Sequence, residues 1–178
     1  GASMWTGRDG RFQPVPGLPG ERDIIYSFCQ GPDGEVWAGS PSGVLYRWTP
    51  DGQVTRRNTS HEGTRVLFRD RSGNWWRGSK YGGVVREGKG TETRFASTNG
   101  LGHDYVTAIT QDPQGDVWIG TKRGLSRIRG DTVTTFTRAD GLGADTIHTL
   151  YVDESGTLWI GTAGGGLTRR KQDRFSTL

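Results

Sequence analysis

The chain has 178 residues, the length of one ordinary domain and enough to bury a core. Only 31% of them are hydrophobic, while Gly numbers 30 and Trp 7, a balance that favours short strands and tight turns. No apolar run is long enough to cross a membrane. The net charge of +4 is spread over scattered basic residues, with only local groups such as Arg56-Arg57 and Arg169-Arg170-Lys171, which argues against a nucleic-acid partner.

Read in chain order, the opening Gly1-Ala2-Ser3-Met4 has the form of a vector scar (1–4), and no signal peptide follows it. Trp5-Thr6 followed by Asp9-Gly10-Arg11-Phe12 resembles Trp48-Thr49 followed by Asp51-Gly52-Gln53-Val54, so 5–20 is expected to hold the outer strand of a preceding or closing unit. Cys29 is the lone cysteine and lies in the apolar run 24–29. That excludes an intrachain disulfide and a cysteine-based zinc site, and marks Cys29 as a packed small hydrophobe.

From there the chain repeats itself. Trp-x-Gly recurs at Trp37-Gly39, Trp76-Gly78, Trp118-Gly120 and Trp159-Gly161, with steps of 39, 42 and 41 residues. A fixed period near 40 means one supersecondary unit used several times. Each unit opens with an alternating run, such as 106–110 or 147–152 (strand a), then a turn ending in Gly34, Gly73, Gly115 or Gly156. The tryptophan strand follows (b: 35–39, 74–78, 116–120, 157–161), and a Gly-rich corner leads to a third strand (c: 42–45, 82–85, 123–125, 165–167). A fourth strand closes the unit (d: 53–57, 92–96, 132–137, 174–177). No stretch keeps helical spacing for three turns, so no helix is expected.

Four short strands repeated at this period are the sequence form of a β-propeller blade. The fold class is therefore all-β, with four blades of four antiparallel strands: 21–59, 60–99, 100–140 and 141–178. Two arrangements stay open, a closed four-bladed ring and half of a larger ring completed by a second copy. The tryptophans are expected to pack between blades, and the glycine two residues later to let the next blade approach.

The strings Leu158-Trp-Ile-Gly-Thr162 then Gly164-Gly-Gly-Leu167, with Gly141-Leu-Gly opening the unit, resemble the two-component regulator propeller repeat. Val117-Trp-Ile-Gly-Thr121 then Gly124-Leu125 matches nearly as well, whereas the first two units are looser. The resemblance implies the extracytoplasmic sensor of bacterial membrane-bound kinases and hybrid regulators, hence a periplasmic or extracellular, non-enzymatic ligand-sensing module with no cofactor. A propeller lyase of the streptogramin-inactivating type is the enzymatic alternative, with His103 or His148 beside Asp104 or Asp145 as its metal-side residues. An excised or engineered propeller fragment with no ligand of its own is a third reading.

Candidate site residues follow from the loops. The a–b and c–d turns should share one face and carry repetitive Asp-Gly turns; the b–c and d–a loops should share the other, more variable face, where binding is expected. On that face Asp23, Glu62, Asp104 and Asp145 precede each strand a, either as a ring of carboxylates or as caps of their own loops. Positions that differ between repeats are more informative. These are Tyr26, Arg65, Thr107 and His148 at the start of strand a, with Lys80-Tyr81 and Lys122-Arg123 in the b–c loops. Together with His103, they make a rim suited to an acidic, small-molecule or carbohydrate ligand, the other reading being a solvated channel lining. The three histidines His61, His103 and His148 occupy different repeat positions and form no spaced metal motif.

Overall fold

In the computed structural model of the protein, the described residues are Ser3–Trp5, Phe12–Pro14, 24–59 and 63–178. Asp23, His61, Glu62 and the rest of segments 1–4 and 5–20 lie outside them. Strands β1 (Ser3–Trp5) and β2 (Phe12–Pro14) pair antiparallel, the sense of a hairpin.

Four four-stranded antiparallel sheets follow, each built of consecutive strands. The first holds β3 (Ser27–Gln30), β4 (Val36–Gly39), β5 (Val44–Trp48) and β6 (Val54–Asn58), and the second β7 (Val66–Arg69), β8 (Trp75–Gly78), β9 (Val84–Gly88) and β10 (Thr91–Phe95). The third holds β11 (Val106–Gln111), β12 (Val117–Thr121), β13 (Gly124–Arg129) and β14 (Thr132–Phe136), and the fourth β15 (Ile147–Val152), β16 (Leu158–Thr162), β17 (Leu167–Lys171) and β18 (Arg174–Thr177). These are four blades. The a–b turns close on Gly34, Gly73, Gly115 and Gly156 with φ of 79°, 86°, 92° and 78°, a left-handed conformation that favours glycine.

Among the described residues helix is limited to two single 3-10 turns, Ser97–Asn99 and Arg138–Asp140, in the loops that lead into the third and fourth sheets. The sequence admits no helix because one turn leaves no periodicity to read. Each turn is held locally: Asn99 Oδ1 accepts the Ala96 N–H at 2.6 Å, and Asp140 Oδ2 the Thr137 N–H at 2.8 Å.

The blades pack in chain order, with β3 beside β7, β7 beside β11 and β11 beside β15, so the first strand of each sheet lines the axis. Each seam joins the tryptophan face of one blade to the opposite face of the next. Trp76 and Phe95 stack at 5.9 Å and pack with Val106, Ile109, Val117, Ile119 and Ile128 of the third blade. Trp118 stacks on Phe136 at 5.8 Å and packs with Ile147, Leu158 and Ile160 of the fourth. The glycine of each Trp-x-Gly makes the approach possible. A Cβ on Gly39 would lie 2.5 Å from Thr64 Cγ2, one on Gly78 2.5 Å from Val106 Cγ1, and one on Gly120 2.8 Å from Ile147 Cγ2.

An acid that the sequence reading passed over fixes the tryptophans. Asp70, Asp112 and Asp153, each six residues before its tryptophan, accept the indole N–H of Trp76, Trp118 and Trp159 at 2.8, 2.8 and 2.7 Å. The other side of each carboxylate accepts a turn N–H, from Asn74, Asp116 and Thr157. The first blade has Gly31 at that position, and Trp37 donates to Glu35 Oε1 instead, at 3.3 Å. One side chain thus satisfies a buried indole and closes the a–b turn.

The two ends of this arc differ from its interior. The fourth blade presents the same face as the others, yet Trp159 is half-buried where Trp118 is 0% exposed, and Leu167 is 40% exposed where Leu125 is 0%. Tyr151 and Leu178 are exposed on the same face, and a Cβ on Gly161 would meet only Thr149 of its own sheet. At the other end Phe28 and Val36 are exposed, although the centre of that face, Ala38 and Tyr46, is buried. Among the described residues no packed seam joins the fourth sheet to the first.

Trp118→Ala should therefore cost about 3–5 kcal/mol in chemical denaturation, and Trp159→Ala about half as much, since less area leaves water there. Equal losses would show that the fourth blade's outer face is covered in solution. A second expectation concerns pH. Ser155 Oγ and the Trp159 indole, both donating at 2.7 Å, hold the Asp153 carboxyl down to about 2. Its folded-state value lies below the ordinary one near ~3.9, so its contribution is complete above pH ~4 and is lost as pH falls through about 2. Asp153→Asn should flatten the acid limb of a stability-versus-pH curve between those values; an unchanged slope would refute the assignment.

Candidate functional site

The variable face carries an open cavity of about 490 Å³ lined by Tyr26, Pro41, Gly63, Arg65, Lys80, Tyr81 and Tyr105. All of them come from b–c loops or the approach to strand a. Backbone bonds fix the floor: Tyr26 N–H donates to Gly39 O at 3.0 Å, and Arg65 N–H to Gly78 O at 2.8 Å. The corresponding Thr107 and His148 fall at irregularities of the a–b pairing, between Val106 and Ala108 and between Ile147 and Thr149. A bulge there frees one residue per blade from the sheet's alternation.

Arg65 is the centre of the cavity. Its guanidinium lies 5.4 Å from the Tyr26 ring centroid and 5.0 Å from that of Tyr105. Lys122 Nζ lies over the same Tyr105 ring at 4.2 Å, and Lys80 Nζ over Tyr81 at 4.9 Å. Tyr81, and to a smaller extent Tyr105 and Tyr26, hold the Lys80 ammonium above its ordinary value, so it stays charged at neutral pH. Cation–π contacts of this kind orient a cation without neutralising it.

Four of the residues expected from sequence, Tyr26, Arg65, Lys80 and Tyr81, meet in this cavity, and Lys122 adjoins it through Tyr105. The others lie apart from its lining. Arg123 is exposed in the third b–c loop, its N–H donating to Thr121 Oγ1 at 3.1 Å. His103 Nδ1 accepts the Tyr105 N–H at 2.8 Å, which fixes that ring and the Tyr105 backbone. Asp104 accepts from Ser97 N and Ser97 Oγ at 2.7 and 2.9 Å, and Asp145 from Arg138 N at 2.7 Å. Both carboxylates thus clasp the 3-10 turn of their own loop. His148 is exposed on the fourth blade. Among the described residues no three His, Cys, Asp or Glu side chains converge as metal ligands would.

Tyr105 was missed by the sequence reading. The rule that positions differing between repeats mark a site would have found it two residues earlier in the unit, where Gly63 and Thr146 stand in the second and fourth.

The family comparison matches the two-component regulator propeller at residues 100–123 and 141–164. That model covers the opening loop and first two strands of the third and fourth blades. Both matched segments run from the Gly-Leu-Gly opening through the tryptophan strand. Among solved structures, virginiamycin B lyase from Staphylococcus aureus is similar at 17% identity and a TM-score of 0.75, over 96% of this chain and 60% of that one. PorZ, a surface component of the type-IX secretion system of Porphyromonas gingivalis, is similar at 14% identity and 0.67, over 96% of this chain and 30% of that one. The extracellular domain of a hybrid two component system from B. thetaiotaomicron is similar at 18% identity and 0.54, over 88% of this chain and 28% of that one. At these identities the likeness establishes the propeller fold. The chain spans well under two thirds of the length of each of these structures. No curated protein matches its sequence significantly.

If Asp104 serves its loop, Asp104→Ala should lower the thermal midpoint by a few degrees, as expected for roughly 0.5–1.5 kcal/mol of lost hydrogen bonding. An unchanged midpoint would return that carboxylate to the pool of ligand-binding candidates.

Proposed function

We propose that the chain is a non-enzymatic ligand-sensing or interaction module, working outside the cytoplasm as part of a two-component regulator. Its ligand, a small molecule or a carbohydrate, binds on the b–c and d–a face. The observation that carries this reading is the cavity around Arg65, with aromatic faces and charged donors converging on open space. Tyr26 and Tyr81 are 50% and 69% exposed there, large rings left facing solvent. Such rings stack against sugar or aromatic faces, while Lys and Arg fix polar substituents. The propeller repeats and the extracellular sensor among similar folds support the sensor reading. The likeness to a lyase is one of fold at 17% identity.

A thermal-shift screen of mono- and oligosaccharides and small metabolites tests this directly, since a ligand selective for the native state stabilises by RT ln(1 + [L]/Kd). A hit should raise the midpoint by several degrees at ~100 Kd, with no product formed on long incubation, and Tyr26→Ala should abolish the shift. Turnover of the hit, or a shift untouched by Tyr26→Ala and Tyr105→Ala, would overturn the reading.

A further inference from the structure

Several arginines elsewhere in this protein are matched to carboxylates, although Arg71 bonds backbone carbonyls and Arg56 and Arg69 lie over aromatic rings. Arg57 binds Glu87 with two bonds of 2.7 and 2.5 Å, Arg77 binds Glu92 at 2.6 Å, Arg86 binds Asp131 at 2.7 Å, and Arg129 binds Asp116 with two bonds of 2.8 and 2.7 Å. The rim departs from this habit. Arg65, Lys80 and Lys122 make no salt bridge with any described carboxylate, and no described residue lining the cavity is acidic. Each is held instead over a tyrosine ring. Asp104, which adjoins Tyr105 in sequence, is bound into its own loop by two bonds from Ser97.

Three cations therefore share one concave surface with no carboxylate partner among the described residues, Lys80 being hydrogen-bonded to Tyr81. Arg65 and Lys122 share the Tyr105 ring, and Lys80 stands within electrostatic reach of the Tyr26 and Tyr105 phenols. Like charges this close repel one another, and low-dielectric tyrosine walls strengthen both that repulsion and the attraction for an anion. A guanidinium clamped at both faces by rings keeps its N–H edge free, and that edge matches a carboxylate or sulfate in two parallel bonds.

We propose that this rim is a receptor for a polyanion, a ligand bearing at least two carboxylate or sulfate groups, with Arg65 taking one group edge-on and Lys80 and Lys122 taking its neighbours. The inference rests on the sensor reading for the place of the site, and adds the charge of what fills it. Tyr26, Tyr81 and Tyr105 then serve twice, orienting the cations and lining the walls against the body of the ligand.

The test is isothermal titration with three probes of matched length: oligogalacturonate, its fully methyl-esterified form, and a sulfated oligosaccharide. The esterified probe keeps the sugar skeleton and removes the charge, so it separates the two readings. The expected result is binding of at least one anionic probe, at least tenfold weaker binding of the ester, and affinity that falls as salt is raised. Arg65→Ala should weaken the anion at least tenfold, and Arg65→Lys less, because a lysine keeps the charge without the paired donors. Lys122→Ala, on an exposed loop, is the second variant should Arg65→Ala not fold, and circular dichroism checks both. Preference for carboxylate or for sulfate identifies which anion the rim fits. Equal binding of acid and ester would overturn the polyanion while leaving a carbohydrate sensor standing. Failure of every anionic probe to bind, or binding indifferent to both variants, would overturn it as well.

Discussion

The structure depends on how closely one sheet can approach the next. At each internal seam the second residue after the tryptophan must lack a Cβ, because the following blade's Thr64, Val106 or Ile147 occupies that space. A side chain at Gly78 would sit 2.5 Å from Val106 Cγ1, inside any real carbon–carbon contact. The glycine and the β-branched residue are thus one device split between two blades. It brings the first strands of neighbouring sheets together at the axis, and the tryptophan on the same strand then fills the wider part of the wedge. With close approach secured at the axis, apolar packing can be as dense as in any protein interior.

Within that constraint the seams are chemically unlike. Trp75, Arg77, Glu87 and Glu92 of the second blade stand where the third has Val117, Ile119, Ile128 and Val133. Opposite them Arg57 takes the place that Phe95 and Phe136 hold in the next two blades. The first seam is consequently an alternating row, Arg57–Glu87–Arg77–Glu92, with Arg57 keeping the Glu87 carboxyl below its ordinary range. Ion pairs that lose water contribute less to stability than the apolar contacts they replace, but they fix register and partner more strictly. The cavity opens beside this polar seam, whereas the apolar seams carry the bulk of the core.

This division explains what could be read from the sequence. Trp-x-Gly and the turn glycines repeat because every blade needs them, so strand order, blade number and packing role were all legible from period and spacing. The Asp–Trp bond was legible too, in the fixed six-residue interval at Asp70, Asp112 and Asp153. It escaped because the first unit breaks it with Gly31. The rim is harder to read. Arg65 sits between Tyr26 and Tyr105, residues 39 and 40 positions away, and no local pattern announces that three different blades place them together. Asp104 and Asp145 show the opposite difficulty. Their sequence positions fit either a carboxylate ring or caps of their own loops, and each is bonded within its own loop.

The separation of labour between seam and rim also says why such a scaffold suits sensing. Residues between sheets are constrained by both neighbours, so a change there is felt as a clash or a cavity. The residue at the start of strand a is held mainly by its backbone, tied to the adjacent strand at Gly39 or Gly78 for Tyr26 and Arg65 and placed at a bulge for Thr107 and His148. Tyr, Arg, Thr and His all occur at that one position without disturbing the seam beside it. A ring of blades therefore offers one freely variable side chain per blade, on a frame rigid enough to hold them at fixed spacing. Ligand choice can then change by substitution at the rim while the tryptophans, the glycines and the aspartates that anchor them stay as they are.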